Sequence, residues 1–168
     1  MEELIYRSAK PEDAAAIVAF YNYVGGETDF LSFGKDEYPM DCAALAAAIA
    51  KQADDPTNLM MLALVGQEIA GIATISSSAK VRFRHGGELG IVVAQKYWHR
   101  GIGSRLISLL LEQLRANGTT TRVCLSTRAD NPAVSLYEKF GFAEEGRGKN
   151  TILQDGVYYD LIWMSLML

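Results

Sequence analysis

The segment from Ile102 to Asn117 constrains the fold of this chain more than any other. Leucines recur within it at every fourth position, at residues 106, 110 and 114, and Gly118 follows as a left-handed stop. A buried strand is indicated shortly before it by the apolar run LGIVVA. The stretch YWHRGIGS lies between the two and carries two glycines. The sequence therefore predicts a strand, a glycine-containing turn and an amphipathic helix in succession.

The remaining elements follow from apolar runs and from residues that start or end helices. Strands are predicted at LIYRS, LMMLALV, EIAGIATISSS, ELGIVVA, TRVCLST, AEEGR and VYYDLIWMSL, with hairpin turns at Gly66-Gln67 and Asp155-Gly156. Three more helices are predicted, from Pro11 to about Tyr23, from an Asp41 cap to about Gln52, and from Asn131-Pro132 to about Phe140. The order β-α-α-β-β-β-α-β-α-β-β predicts an α/β fold, a mixed sheet with helices on its faces.

Length and composition limit what such a fold can be. At 168 residues, with 49% hydrophobic and 21% charged residues, we expect one domain spanning 1–168. A formal charge of −4 and the lack of Lys/Arg runs argue against a nucleic-acid partner. No apolar stretch reaches the roughly 18 residues that cross a bilayer, and the start MEELIYRSAK does not resemble a signal peptide. We therefore expect a cytoplasmic protein without membrane contact.

Cysteine and histidine are too sparse to suggest a metal centre. Cys42 and Cys124 form neither a CxxC pair nor a zinc half-site, so we expect both to be packing residues. His85 and His99 have no ligand spacing to either cysteine, and no metal is predicted.

The turn before the long helix is the candidate for an anion site, because helix-start N–H groups lack intrahelical partners. A Rossmann fingerprint would need a glycine at Leu106, and the spacing of a P-loop occurs nowhere in the chain. What remains is RGIG at 100–103, where the missing side chains let an anion approach the backbone. Local cations are added by Lys96, His99, Arg100 and Arg105. The alternative is a tight strand-to-helix connection with no ligand.

The stretch ELGIVVAQKYWHRGIGSRLI, followed by RADNPAVSLYEKFGF, resembles the GNAT superfamily of acetyl-CoA-dependent N-acetyltransferases. The resemblance is good from Glu88 to Phe142 and extends more weakly over the whole order of elements. It implies a central mixed sheet of about seven strands flanked by about four helices, in which strand four carries a bulge and splays from strand five. The family's phosphate loop, Gln/Arg-x-x-Gly-x-Gly/Ala, falls on Trp98 to Gly103, and Trp98 departs from the Gln/Arg position.

The resemblance also implies where acetyl-CoA would bind. Backbone groups of strand four would receive the pantetheine arm as an added strand, and helix-start N–H groups would receive the pyrophosphate. Asn131 and Tyr137 match the family positions after strand five, where Asn contacts the cofactor and Tyr points at the sulfur. The cofactor-binding residues so expected are Ile91, Val92, Val93, His99, Arg100, Gly101, Ile102, Gly103, Ser104, Asn131 and Tyr137.

Two residues are candidates for catalysis. Tyr137, with an ordinary pKa near 10, would protonate the leaving thiolate; the alternative is an aromatic that packs under strand five. Glu88 would be the general base, acting through water; the alternative is an ordinary charged strand end. The family's other choice, a carboxylate on strand five, falls on Ser126, which cannot serve as a base unaided.

The predicted function is acetyl transfer from acetyl-CoA to a primary amine, of a small molecule or a protein N-terminus, by direct attack in a ternary complex. The alternative is an acyl-CoA-binding module or regulator without useful turnover. A cationic acceptor is weakly favoured by acids near the irregular early loop, namely Glu27, Asp29, Asp36, Glu37 and Asp41. Phe30 and Phe33 of that loop are divided between the acceptor pocket and the core. A homodimer stays an open alternative to a monomer.

Overall fold

A computed structural model describes residues 3–168 and contains a seven-stranded sheet. The strands are β1 (Leu4–Ser8), β2 (Leu59–Val65), β3 (Glu68–Ser77), β4 (Gly86–Val93), β5 (Arg122–Arg128), β6 (Ala143–Gln154) and β7 (Val157–Met167). The α-helices are α1 (Ala14–Val24), α2 (Cys42–Gln52), α3 (Ile102–Ala116) and α4 (Val134–Lys139), and short 3-10 turns cover Pro11–Asp13 and Gln95–Tyr97. The predicted order of elements is confirmed.

The sheet order is β1-β2-β3-β4-β5-β7-β6, and among the pairings within residues 3–168 that of β4 with β5 is parallel while the others are antiparallel. β4 and β5 stay paired only from Gly86↔Arg122 to Glu88↔Cys124. Beyond Glu88 the two strands part. The predicted mixed sheet with splayed strands four and five is therefore confirmed.

The prediction of a bulge in strand four is wrong. β3 and β4 pair without interruption from Gly71↔Val93 to Ser77↔Gly87. The register shift in this part of the sheet lies instead between Ala63 and Leu64, in the pairing of β2 with β3. The gap beyond Glu88 therefore arises because β5 diverges, and β4 keeps a regular edge along it.

The helices cover both faces of the sheet. On one face α3 buries Leu106, Leu110 and Leu114 completely, and Leu106 approaches Gly71 so closely that a Cβ there would lie 3.3 Å from it. Thr74, three residues further along β3, points to the opposite face. That face carries α1 and α2, which contact each other. None of the helices within 3–168 combines the length and apolar character needed to cross a bilayer.

Local signals set several element ends as predicted. The Asp41 carboxylate accepts the Ala44 N–H at 2.7 Å, which caps α2. Asp155 and Gly156 both have positive φ, at 50° and 77°, as a two-residue hairpin turn requires. β6 runs to Gln154, well beyond the predicted AEEGR, because its pairing with β7 resumes at Ile152 after an irregular stretch.

Candidate active site

The start of α3 presents backbone donors toward the gap between β4 and β5. Gly101 adopts a left-handed conformation with φ of 75°, and the first intrahelical bond runs from the Arg105 N–H to the Gly101 carbonyl at 3.0 Å. The N–H groups of Ile102, Gly103 and Ser104 precede that bond and have no partner within the helix. The helix dipole adds partial positive charge at the same place. This turn can therefore hold an anion.

The two glycines of the turn differ in what a side chain would meet. Around a Cβ built at Gly101 no heavy atom of the described residues lies within 4 Å, so a side chain there would enter open space. A Cβ at Gly103 would lie 3.6 Å from Leu136 and 3.9 Å from Ile91 and Val93. A side chain at Gly103 would therefore point into the protein. Gly101 is the position that keeps the approach to the helix start open.

The turn is held in shape by hydrogen bonds to β4 and to two more distant residues. The Trp98 indole N–H donates to the Val93 carbonyl at 2.7 Å, so the residue that departs from the family pattern ties the turn to the end of β4. The Gln95 N–H donates to the Glu27 carboxylate at 2.9 Å. The Tyr97 hydroxyl donates to Glu68 at 3.0 Å.

The four expected cations are not equally available to an anion. Lys96 forms an ion pair with Glu68, and the Arg105 guanidinium lies 3.8 Å from Glu112. The Arg100 guanidinium lies over the Tyr97 ring, 5.5 Å from its centroid, and Arg100 is exposed. His99 is also exposed and has a left-handed φ of 60°. His99 and Arg100 are therefore the better placed of the four.

The edge of β4 exposes alternate peptide groups to the gap. The Ala94 N–H donates to the Ala70 carbonyl of β3 at 2.9 Å, and the antiparallel alternation then directs the peptide groups of Val92 toward β3 as well. Those of Ile91 and Val93 point into the gap. The Val93 carbonyl already accepts the Trp98 indole N–H. Ile91 and the Val93 N–H are thus the groups available to an added strand, and Val92 is not.

Glu88 lies at the last paired position before the gap opens. Glu88 is exposed, and it is paired with Cys124 of β5. Burial raises the pKa of the Cys124 thiol, and the nearby negative charge of Glu88 raises it further. The Glu88 carboxylate therefore lies where β4 and β5 begin to part.

Tyr137 lies on α4, which packs beside the start of α3. Its residue is only 6% exposed, and its ring meets Phe142 edge to face at 6.2 Å between centroids. Burial raises the pKa of Tyr137 to about 12. The phenol is therefore neutral at any ordinary pH and can act as a hydrogen-bond donor.

Asn131 is bound within the protein. Its Nδ2 donates to the Thr127 hydroxyl at 2.8 Å, and its Oδ1 accepts the Ala133 N–H at 2.9 Å. These bonds attach the start of α4 to the end of β5. Asn131 thus positions the helix that carries Tyr137, whatever contact it makes with a cofactor.

A cavity of about 330 Å³ lies on the face of β4 that carries Glu88, between the sheet, α1, α2 and the loop 25–41. It is lined by Tyr21, Leu31, Phe33, Tyr38, Met40, Leu45, Ala48, Gln52, Leu59, Met60, Thr74, Ile75, Ser76, Gly90, Ile91 and Val92. Phe33 therefore lines this cavity. Phe30 does not line it and lies against the Arg128 guanidinium, 4.9 Å from its ring centroid.

The acids of the early loop are engaged elsewhere. Glu27 accepts from the Gln95 N–H, Asp29 from the Gln154 amide, Glu37 from the Gly34 N–H and Asp41 from the Ala44 N–H. Asp36 is exposed and does not line the cavity. The basis for expecting a cationic acceptor is therefore absent from the cavity lining.

Arg128 is a structural centre that its position in the sequence did not reveal. Its side chain is 8% exposed, pairs with Asp130 through two bonds of 3.0 and 2.7 Å, and donates to Gln154 at 3.0 Å. The guanidinium also lies 3.5 Å from the ring centroid of Tyr159 and 4.9 Å from that of Phe30. One residue thus connects the loop 25–41, the end of β5 and the β6–β7 hairpin.

Metal-ligating clusters are not found in this part of the molecule. Within residues 3–168 no group of three or more His, Cys, Asp or Glu side chains is placed to hold a metal ion.

The parted β4 and β5, with the open start of α3 beside the gap, form the architecture of a CoA-dependent acyltransferase. The chain belongs to the acetyltransferase (GNAT) family, whose model matches residues 26–142. It is an enzyme of the N-acetyltransferase type.

Three known proteins illustrate the similarity. L-amino acid N-acetyltransferase AaaT of Escherichia coli (strain K12) is 32% identical over 114 residues, which cover 67% of this chain and 70% of that protein. A GNAT-family acetyltransferase from Streptococcus pneumoniae is 36% identical with a TM-score of 0.95, covering 99% of this chain and 100% of that one. A phosphinothricin acetyltransferase from Sinorhizobium meliloti in complex with acetyl-CoA shares the fold, with 21% identity and a TM-score of 0.83, over 98% of this chain and 88% of that one.

Proposed function

We propose that this chain, acting as one domain over residues 1–168, transfers acetyl from acetyl-CoA to the primary amine of a small molecule by direct attack in a ternary complex. The observation that carries the proposal is the parting of β4 and β5 directly beyond Glu88. An anion-receptive helix start lies beside this gap, and the cavity lies on the Glu88 face of β4. A cosubstrate and an acceptor can thus approach the same gap from different sides.

The start of α3 and the edge of β4 suit the two ends of the cosubstrate. The N–H groups of Gly101 to Ser104 would bind the pyrophosphate, and the space over Gly101 leaves room for it. Ile91 and the Val93 N–H would bind the pantetheine arm as an added strand. His99 and Arg100 would add positive charge near the phosphates. This arrangement directs the thioester toward the gap beyond Glu88.

Glu88 is proposed to take the proton of the acceptor ammonium, directly or through water. An ammonium has no lone pair, so it must lose a proton before its nitrogen can attack the thioester carbonyl. Attack of the free amine on the thioester carbonyl forms the C–N bond in a tetrahedral intermediate, and its collapse breaks the C–S bond so that sulfur leaves with the electron pair. The nitrogen gives up its second proton, which passes directly or through water to the thiolate, so the products are the N-acetyl amine and the CoA thiol. No covalent bond to the enzyme is needed.

Tyr137 is proposed to stabilise the leaving sulfur by a hydrogen bond. Since an ordinary thiol has a pKa near 8.5 and burial raises the pKa of Tyr137 to about 12, complete transfer of the phenol proton to the thiolate is unfavourable. A charge-assisted hydrogen bond to the thiolate requires no such transfer. Burial of Tyr137 therefore favours stabilisation over full protonation, which differs from the role expected for an unperturbed tyrosine.

The similarity to an L-amino acid N-acetyltransferase supports a free amino acid as the acceptor. The experiment that tests the proposal supplies acetyl-CoA and a mixture of L-amino acids, follows release of the CoA thiol, and identifies the acetylated product by mass. We expect amine-dependent thiol release and an N-acetyl amino acid. If CoA raises the melting temperature but no amine produces thiol release, the chain is a CoA-binding module without turnover. A protein N-terminus as acceptor would instead require a peptide for activity.

Glu88→Gln is expected to lower turnover roughly 100-fold near pH 7 and progressively less as the pH rises. The α-amine of a peptide has a pKa of about 8, and that of a free amino acid is higher because its own carboxylate stabilises the ammonium. The acceptor is therefore almost wholly protonated at about pH 7 and needs the base less as the pH approaches the pKa of the amine. Glu88 is exposed, so the melting temperature and CoA affinity should be unchanged. The measurement is a pH–rate profile of both proteins at saturating acetyl-CoA. Parallel profiles of equal height would assign the base elsewhere.

A further inference from the structure

The residues that line the cavity beside β4 determine which chemical groups it can hold. Its walls consist of aliphatic, methionine and aromatic side chains, with Gln52, Thr74 and Ser76 as uncharged polar groups. Among the described residues that line it, none carries an ionisable side chain other than its two tyrosines. A charged group placed here would lose hydration without gaining an ion-pair partner, which is strongly unfavourable.

The two tyrosines do not alter this character. Tyr21 and Tyr38 stack with ring centroids 4.6 Å apart at 15°, and Phe33 meets their rings edge to face at 5.9 and 5.5 Å. Burial raises the pKa of both Tyr21 and Tyr38. Both phenols therefore stay neutral, and the three rings form an aromatic wall on the side of the cavity away from the sheet.

The cavity lies within one side-chain length of the proposed base. Glu88, Gly90 and Val92 share one face of β4, and Gly90 and Val92 line the cavity. Successive residues on one face of a strand are roughly 7 Å apart. An acceptor whose nitrogen is at Glu88 therefore places a substituent on the neighbouring carbon at the cavity.

We propose that this cavity is the side-chain subsite of the acceptor, and that it takes an uncharged apolar or aromatic group attached to the carbon that bears the amine. The inference rests on the proposed acetyl transfer and specifies its acceptor. The acidic residues of the loop 25–41 take no part in selection, because hydrogen bonds within the protein engage them or they lie outside the cavity. The preferred acceptor class is thus opposite to a polyamine or a basic amino acid.

The test compares kcat/KM for L-phenylalanine, L-leucine and L-methionine with that for L-alanine, L-lysine and L-glutamate at saturating acetyl-CoA. Burial of a large apolar side chain predicts that phenylalanine exceeds alanine by roughly 10- to 100-fold. Lysine and glutamate should fall at or below alanine. 2-Phenylethylamine, which presents the same ring without a carboxylate, distinguishes an amino acid acceptor from an arylalkylamine.

Two phenylalanines of the same loop provide a matched pair of variants. Phe33→Ala removes part of the aromatic wall and should reduce the preference for phenylalanine over alanine roughly tenfold, with acetyl-CoA affinity unchanged. Phe30→Ala lies in the same loop outside the cavity, and should leave that preference as in the wild type. The ratio of the two amino acids is decisive, because a merely loosened loop would lower both rates together.

The outcomes separate this inference from the function on which it rests. Preference for lysine or glutamate, or equal preference for phenylalanine and alanine, would overturn the apolar subsite while leaving acetyl transfer intact. Absence of product from every amine would contradict the acetyl transfer itself, and the subsite with it. If Phe33→Ala does not fold, the wild-type panel decides by the same criteria.

Discussion

Tyr137→Phe is expected to slow acetyl transfer roughly 100-fold or more in a single turnover, with little change in melting temperature or CoA affinity. The substitution removes only the hydroxyl and keeps the ring that packs against Phe142. Without the phenol hydroxyl, the leaving thiolate receives one fewer charge-assisted hydrogen bond. The measurement mixes enzyme preloaded with acetyl-CoA with excess acceptor and follows formation of the acetylated product, because slow product release could hide the loss in steady state.

The pH dependence adds a second expectation for Tyr137. Since burial raises its pKa to about 12, the phenol keeps its proton across the pH range in which the α-amine of an amino acid loses its own proton and becomes a nucleophile. The fold loss in Tyr137→Phe should therefore be constant between about pH 7 and 10. Wild-type single-turnover rates in the folded variant would reduce Tyr137 to a packing residue and leave water as the hydrogen-bond donor to the thiolate.

The fold was predictable where short stretches of sequence determine it. The four-residue spacing of the leucines from Leu106 to Leu114 defines α3, and the Asp41 cap defines the start of α2. The hairpin turn at Asp155 and Gly156 is equally local. The length of β6 was not predictable, because its exposed residues have no regular alternation and the strand exists through its pairing with β7.

The site was predictable in its location more than in its contacts. The glycine turn and Glu88 could be placed from spacing and resemblance, but the hydrogen-bond partners of the groups between them could not. Trp98 binds back to Val93, and Glu27 accepts a hydrogen bond from the distant Gln95 N–H. Arg128 joins three segments that only folding brings together. Charge counted along the early loop therefore does not show which side chains line the cavity.

The phosphate turn can be tested more cleanly at Gly101 than at Gly103. Gly101→Asp is expected to weaken acetyl-CoA binding by roughly 10- to 100-fold at low ionic strength, with a modest fall in melting temperature because a side chain is strained at the Gly101 φ of 75°. A side chain at this position enters open space in front of the helix start. Aspartate tolerates left-handed backbone better than most residues and is favourable at a helix N-terminus. Its carboxylate, however, repels the pyrophosphate and competes for the same N–H groups.

Two further variants separate charge from shape in this experiment. Gly101→Asn introduces a side chain of nearly the same shape as aspartate but without its charge, so its loss of acetyl-CoA affinity should be smaller. The difference in affinity between the two variants should decrease as salt is added, because salt screens the charge. Gly103→Ala directs its methyl group toward Leu136 at an ordinary contact distance of 3.6 Å and should bind nearly as the wild type does. Calorimetric titration with acetyl-CoA at low and high salt measures all three. If a folded Gly101→Asp protein binds acetyl-CoA with unchanged affinity, the pyrophosphate binds away from the start of α3, because a carboxylate at residue 101 would repel a pyrophosphate bound there.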